Sequence, residues 1–162
     1  MGRLLALMFS ALILGLSGSR PALATSAPFI VYFPHNSTRI ETDALAVIEC
    51  AAKAMGEFKI AIHAGADRSG PADYNLELSR RRGLAVKAAL IRWGLPREHV
   101  KVEGFGEARP LMETQDGVQE RRNRYVVIEV LEHVGPVRRH NATTPRCPLA
   151  KSSPRPSPGS ER

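Results

Sequence analysis

The residues best suited to chemistry fall in one stretch, Ala64 to Val86, AGADRSGPADYNLELSRRRGLAV. At about 100° per residue on a helix, Leu78, Ala85, Val86, Ala89 and Trp93 share one stripe roughly 100° wide, the width of a core-facing side, and Arg82 lies in its middle. Arg80 and Arg81 point elsewhere on the wheel, so the three arginines are not one uniform solvated run, while Asn75 shares Arg82's face two turns earlier. A guanidinium stays protonated at any ordinary pH, and taking it out of water without a partner is costly. Arg82 therefore needs an anion, and Asp67, just before the Gly70-Pro71 turn, is nearest by topology. Two readings stay open. Asp67 and Arg82 form a structural pair, or they sit side by side at a rim as a receptor for a zwitterion, Arg82 clamping a carboxylate and Asp67 taking an ammonium.

The surrounding pattern says what must hold these groups. Phe29 to Phe33 is a short β-branched and aromatic run that reads as a buried strand, and Phe58 to His63 is a second, with Ile60 and Ile62 inward and Lys59 outward. Thr42 to Met55 has helical periodicity with acidic residues in its first turn, and the long helix runs from about Asp73 to Trp93 with Gly94 as its stop. Val100 to Glu103 and Tyr125 to Leu131 are third and fourth strands, separated by a polar stretch, Ala108 to Asn123, that reads as loop with a short helix. This order predicts an α/β (or α+β) fold, a mixed β-sheet with two main helices on one face. The strand-helix-strand units should be parallel and right-handed, with the last strand free to join antiparallel.

The chain of 162 residues suits one domain. Arg3, the apolar run Leu4 to Leu16 and Ala22-Leu23-Ala24 read as a secretory signal over residues 1–24 with cleavage near Thr25, an uncleaved anchor being the alternative, and no Cys stands there to carry a lipid. Residues 25–131 read as the folded domain and 132–162 as a basic Pro/Ser-rich disordered tail. The net charge of +7 is mostly outside the domain, since Thr25 to Val130 carries 15 Lys plus Arg against 14 Asp plus Glu. Cys50 falls opposite the apolar stripe of its helix, facing outward, where Cys147 of the tail could pair with it in an oxidising compartment.

Other chemistries find little support. Gly104-Phe105-Gly106 lacks the third glycine and the following helix of a nucleotide loop. His63 and His99 have no evident nucleophile, metal-ligand spacing is absent, and no cofactor is called for. Arg121-Arg122-Asn123-Arg124 lacks interleaved aromatics, which argues against nucleic acid as a partner. The residues thus describe a binding protein, not an enzyme.

Asp67, the segment Tyr74-Asn75-Leu76-Glu77-Leu78-Ser79-Arg80-Arg81-Arg82, then Gly104-Phe105-Gly106-Glu107-Ala108-Arg109-Pro110 and Asn123-Arg124 together resemble the OmpA-like C-terminal domain, over roughly Phe29 to Val130. The resemblance implies a β-α-β-α-β-β core and a periplasmic module that binds peptidoglycan noncovalently through the diaminopimelate of the stem peptide, anchoring or linking the cell envelope. It implies that Asp67 meets an ammonium and Arg82 a carboxylate, with Asn75 and Asn36 as further contacts. It also implies other envelope proteins as partners and peripheral association with the outer membrane. A periplasmic scaffold or assembly protein that keeps the fold without wall binding is the alternative. Where the family has Gly-His-Thr before the Asp, this chain has Ala64-Gly65-Ala66; Tyr125 stands for the second Arg of its NRR, Pro34 for an Asp, and Gly83 for the Ala after Arg82, a change expected to weaken the helix by roughly 1 kcal/mol.

Overall fold

The computed structural model describes residues 28–134. The signal, most of the tail and Cys147 of the expected Cys50–Cys147 pair lie outside them. In chain order the elements are β1 (Phe29–Tyr32), α1 (Thr42–Ala54), β2 (Phe58–Ala64), α2 (Ala72–Arg92), β3 (Val100–Gly104) and β4 (Tyr125–His133), with single 3-10 turns at Arg97–His99 and Arg121–Asn123. β4 continues through Glu132 and His133, two residues into the segment expected to be tail, and Glu132 Oε2 accepts from Lys59 Nζ at 3.0 Å.

The sheet order is β1-β4-β2-β3. β4 inserts antiparallel between β1 and β2, pairing Tyr32 with Tyr125 on one side and Ala64 with Val126 on the other, while β2 and β3 run parallel as the α2 crossover requires. One core holds Ile48 and Ala51 of α1, Val86, Ala89 and Leu90 of α2, and Ile60, Ile62, Val126 and Ile128 of the strands. Both helices therefore cover the same sheet face.

The apolar side of α2 is rotated slightly from the expected stripe. Asn75, Leu78, Ser79, Arg82, Gly83, Val86, Ala89 and Leu90 are buried, whereas Trp93 is exposed and Ala85 half-buried. The helix turns its small residues toward the sheet because β3 lies close. A Cβ on Gly83 would sit 2.6 Å from Val102 Cγ1, so Gly83 serves close packing, and its helix cost is offset by the contact an Ala would forbid. Cys50, expected to face outward, is buried.

Candidate functional site

The site forms where β2 ends and α2 begins. Ser79 ties the next crossover to this point, its Oγ donating to Leu76 O at 2.8 Å and accepting from Gly106 N at 2.9 Å. Gly106 has φ +56°, and a Cβ there would lie 3.0 Å from Leu76 backbone, which suits glycine on both counts. The β3 exit is thereby laid along the first turns of α2.

Asp67 is buried, with three donors around it. Ser69 Oγ donates to Oδ1 at 2.6 Å, and Glu120 N and Arg124 Nη1 donate to Oδ2 at 3.2 and 2.7 Å. Burial pulls its pKa upward, but the Ser69 hydroxyl, the Arg124 guanidinium and the Glu120 amide outweigh it, so the carboxyl is held below its ordinary value. The ion-pair partner of Asp67 is Arg124, not Arg82. The strand order explains this. β4 lies beside both β1 and β2, so the residue before it meets the β2 exit, and Arg124 Nε also donates to Phe33 O at 3.0 Å.

Arg82 is fully buried beneath the loop after β1. Its Nε donates to Ser37 O at 2.9 Å, Nη2 to Pro34 O at 3.1 Å and Nη1 to Gly65 O at 3.2 Å, and its guanidinium lies 5.4 Å from the Phe33 ring centroid. Its partners are thus carbonyls. Burial pushes its pKa down to about 10, with the Asp67 charge opposing and the Arg124 charge adding to the fall. The side chain stays cationic at neutral pH. Asp67, Arg82 and Arg124, each at most 8% exposed, form a buried set of two guanidinium charges and one carboxylate charge.

Above this set lies a cleft of about 310 Å³ lined by His35, Asn36, Asp67, Ser69, Gly70, Pro71, Tyr74, Asn75 and Leu78. Three of the four residues singled out in the sequence, Asn36, Asp67 and Asn75, line it together, with Arg82 behind the loop that carries Asn36. Asn36 has φ +47°, a left-handed conformation that Asn tolerates better than most residues, and its Oδ1 accepts a short hydrogen bond from the Tyr74 hydroxyl. Asn75 Nδ2 donates to Gly70 O at 3.0 Å and to Glu107 Oε2 at 2.6 Å. A larger groove of about 600 Å³, lined by Ile40, Leu45, Ala85, Ala88, Arg92 and others, has no comparable convergence of acid and base.

Sequence reasoning passed over Ser69, Glu107 and Arg124 as members of this network, and Tyr74 as the residue that holds Asn36. Glu107, Arg124 and Tyr74 lay within the matched segments, but nothing in their spacing tied them to Asn75, Asp67 or Asn36. The departures at Gly65 and Tyr125 belong together. A Cβ on Gly65 would lie 2.4 Å from the Tyr125 ring, whose hydroxyl donates to Arg109 O at 2.7 Å, so the aromatic ring occupies the room that a larger residue before Asp67 would need.

Similarity to known proteins agrees with this architecture. Residues 32–124 match the model of the OmpA family. The chain is 33% identical over 109 residues to an outer membrane protein of Gluconacetobacter diazotrophicus, covering 62% of this chain and 29% of the relative, and 28% identical over 102 residues to a peptidoglycan-associated lipoprotein of Rhizobium meliloti, covering 61% and 58%. It therefore spans less than two thirds of the length of these relatives. Among solved structures, the peptidoglycan-associated lipoprotein from Burkholderia pseudomallei superposes with a TM-score of 0.58 at 25% identity, covering 63% of this chain and 89% of that one. By the match over its core, this chain belongs to the OmpA family.

Proposed function

We propose that this protein binds cell-wall peptidoglycan noncovalently, by taking the diaminopimelate of the stem peptide at the cleft between the β1–α1 loop and the start of α2, and so anchors or links the cell envelope. The observation that carries this reading is the charge imbalance behind the cleft, where Asp67 lines the wall, Arg124 is paired with it, and Arg82 is buried nearby with carbonyls as its hydrogen-bond partners. A buried set with one cation in excess favours an anion beside it. Diaminopimelate brings a carboxylate and an ammonium on one carbon. The ammonium goes to Asp67 and the carboxylate toward Arg82, which commits three of its five N–H groups to carbonyls among the described residues. A carboxylate entering beside Asn36 adds to, or exchanges with, one of these carbonyls, and the charged acceptor is the stronger partner.

The relatives named outer membrane protein and peptidoglycan-associated lipoprotein support an envelope location. The protein then acts in the periplasm, in peripheral association with the outer membrane and with other envelope proteins, and it acts by binding without catalysis. The test is co-sedimentation of the full chain with purified sacculi beside the Asp67→Ala, Arg82→Ala and Arg80→Ala variants. The first two should lose pelleting, and Arg80→Ala, on the exposed side of α2, should keep it. Equal loss in Arg80→Ala and Arg82→Ala would mean that basic charge alone holds the wall.

A further inference from the structure

We infer that Glu107 is a positioning residue that fixes the side-chain amide of Asn75 with its carbonyl toward the cleft, so that Asn75 accepts from the ligand ammonium beside Asp67; this rests on the binding reading above. Asn75 is 2% exposed and has one NH2 group with two donors. Both are taken, by Gly70 O at 3.0 Å and Glu107 Oε2 at 2.6 Å. What Asn75 has left is Oδ1, which lies on the Gly70 side at the cleft wall, 3.4 Å from where a Gly70 Cβ would stand. An amide held in this way cannot offer a donor to a ligand carboxylate. It lends its oxygen to a cation.

The cleft is therefore polarised. Asp67 and Asn75 Oδ1 make an acceptor end, suited to a primary ammonium with three N–H groups. In the same lining, Asn36 Oδ1 accepts from the Tyr74 hydroxyl, which leaves its Nδ2 as the donor. Glu107 reaches Asn75 because the Gly106 turn, tied to Ser79 Oγ at 2.9 Å, lays the β3 exit against α2. Its carboxylate is a charge-assisted acceptor, which makes the amide orientation strongly preferred.

Exchanging donor and acceptor tests the assignment, with purified sacculi as the probe and the full chain as the protein. Asn75→Asp puts a second oxygen against Gly70 O and Glu107, and should weaken sacculus binding by about tenfold or more. Adding Glu107→Gln gives that oxygen an amide donor while the other oxygen still faces the cleft, so the double variant should regain most of the loss. On sacculi whose free amines have been acetylated, the parent and Asn75→Asp should bind equally weakly. Should Asn75→Asp fail to fold, Glu107→Gln and Glu107→Leu decide: Gln keeps an acceptor for Asn75 and should keep binding, and Leu, which leaves a buried donor unpaired and so lowers the melting temperature, should lose it at a temperature where the variant is still folded. A double variant no better than the single one, or equal binding by Gln and Leu at position 107, overturns the assignment. Failure of the parent chain to pellet refutes the binding reading and this inference with it, whereas a parent that pellets beside indifferent variants refutes the role of Glu107 alone.

Discussion

Arg124 and Asp67, 57 positions apart, form a buried ion pair with Nη1 2.7 Å from Oδ2, and this pair closes the sheet over the site. It joins the residue before β4 to the loop three residues past β2, and Arg124 Nε extends the tie to Phe33 just after β1. Because both side chains are nearly inaccessible, solvent screening is weak. Arg124→Ala should therefore lower stability by about 3–5 kcal/mol, the range for leaving one buried charge unpaired. Urea melts would measure it, and a change below about 1 kcal/mol would place the pair among surface bridges.

The same carboxyl sets an acid limit. Asp67 titrates below its ordinary 3.8 in the folded protein, so the unfolded chain binds its proton first as the pH falls. Its stabilising share is complete above that unfolded value and is lost as the pH drops through the lower folded one. Melting temperature should fall more steeply below about pH 4 in the parent than in Asp67→Asn. Parallel curves would contradict the depressed carboxyl.

Arg82→Lys should not substitute for Arg82. The guanidinium spans Ser37 O, Pro34 O and Gly65 O from three nitrogens, and an ammonium offers three donors from one point. Losing one or two of these contacts in a buried setting should cost about 1–3 kcal/mol and release the loop that carries Asn36. Both melting temperature and sacculus binding should fall in Arg82→Lys, while Arg81→Lys, on the exposed face, should change neither.

Gly83→Ala should destabilise the domain although Ala is the better helix former. The gain in helix propensity is about 1 kcal/mol, and the added methyl meets Val102 Cγ1 at 2.6 Å, a stiff β-branched neighbour, for which overpacking costs about 1–3 kcal/mol. Gly83→Ala combined with Val102→Ala should recover part of the loss in a thermal melt.

The placement of Arg82 on the inner face of α2 was legible because helical periodicity holds well near the middle of a long helix. Trp93 was misread at its end, where a small error in the wheel's centre carries the residue to the solvent side. The partner of Asp67 was not legible, because it depends on β4 inserting between β1 and β2, and neither strand pattern nor spacing encodes that order. Gly83 looked like a weakness for the same reason. A helix wheel records propensity and face, whereas the need for a missing Cβ comes from Val102 on another element.

Recognition by the cleft of an ammonium and a carboxylate held on one carbon is decided by competition. Full chain bound to purified sacculi should be released by free diaminopimelate and not by equal concentrations of pimelate, which lacks the amines, or cadaverine, which lacks the carboxylates. Release by cadaverine or pimelate as readily as by diaminopimelate would contradict zwitterion recognition at the cleft, and so would sacculus binding that diaminopimelate leaves untouched.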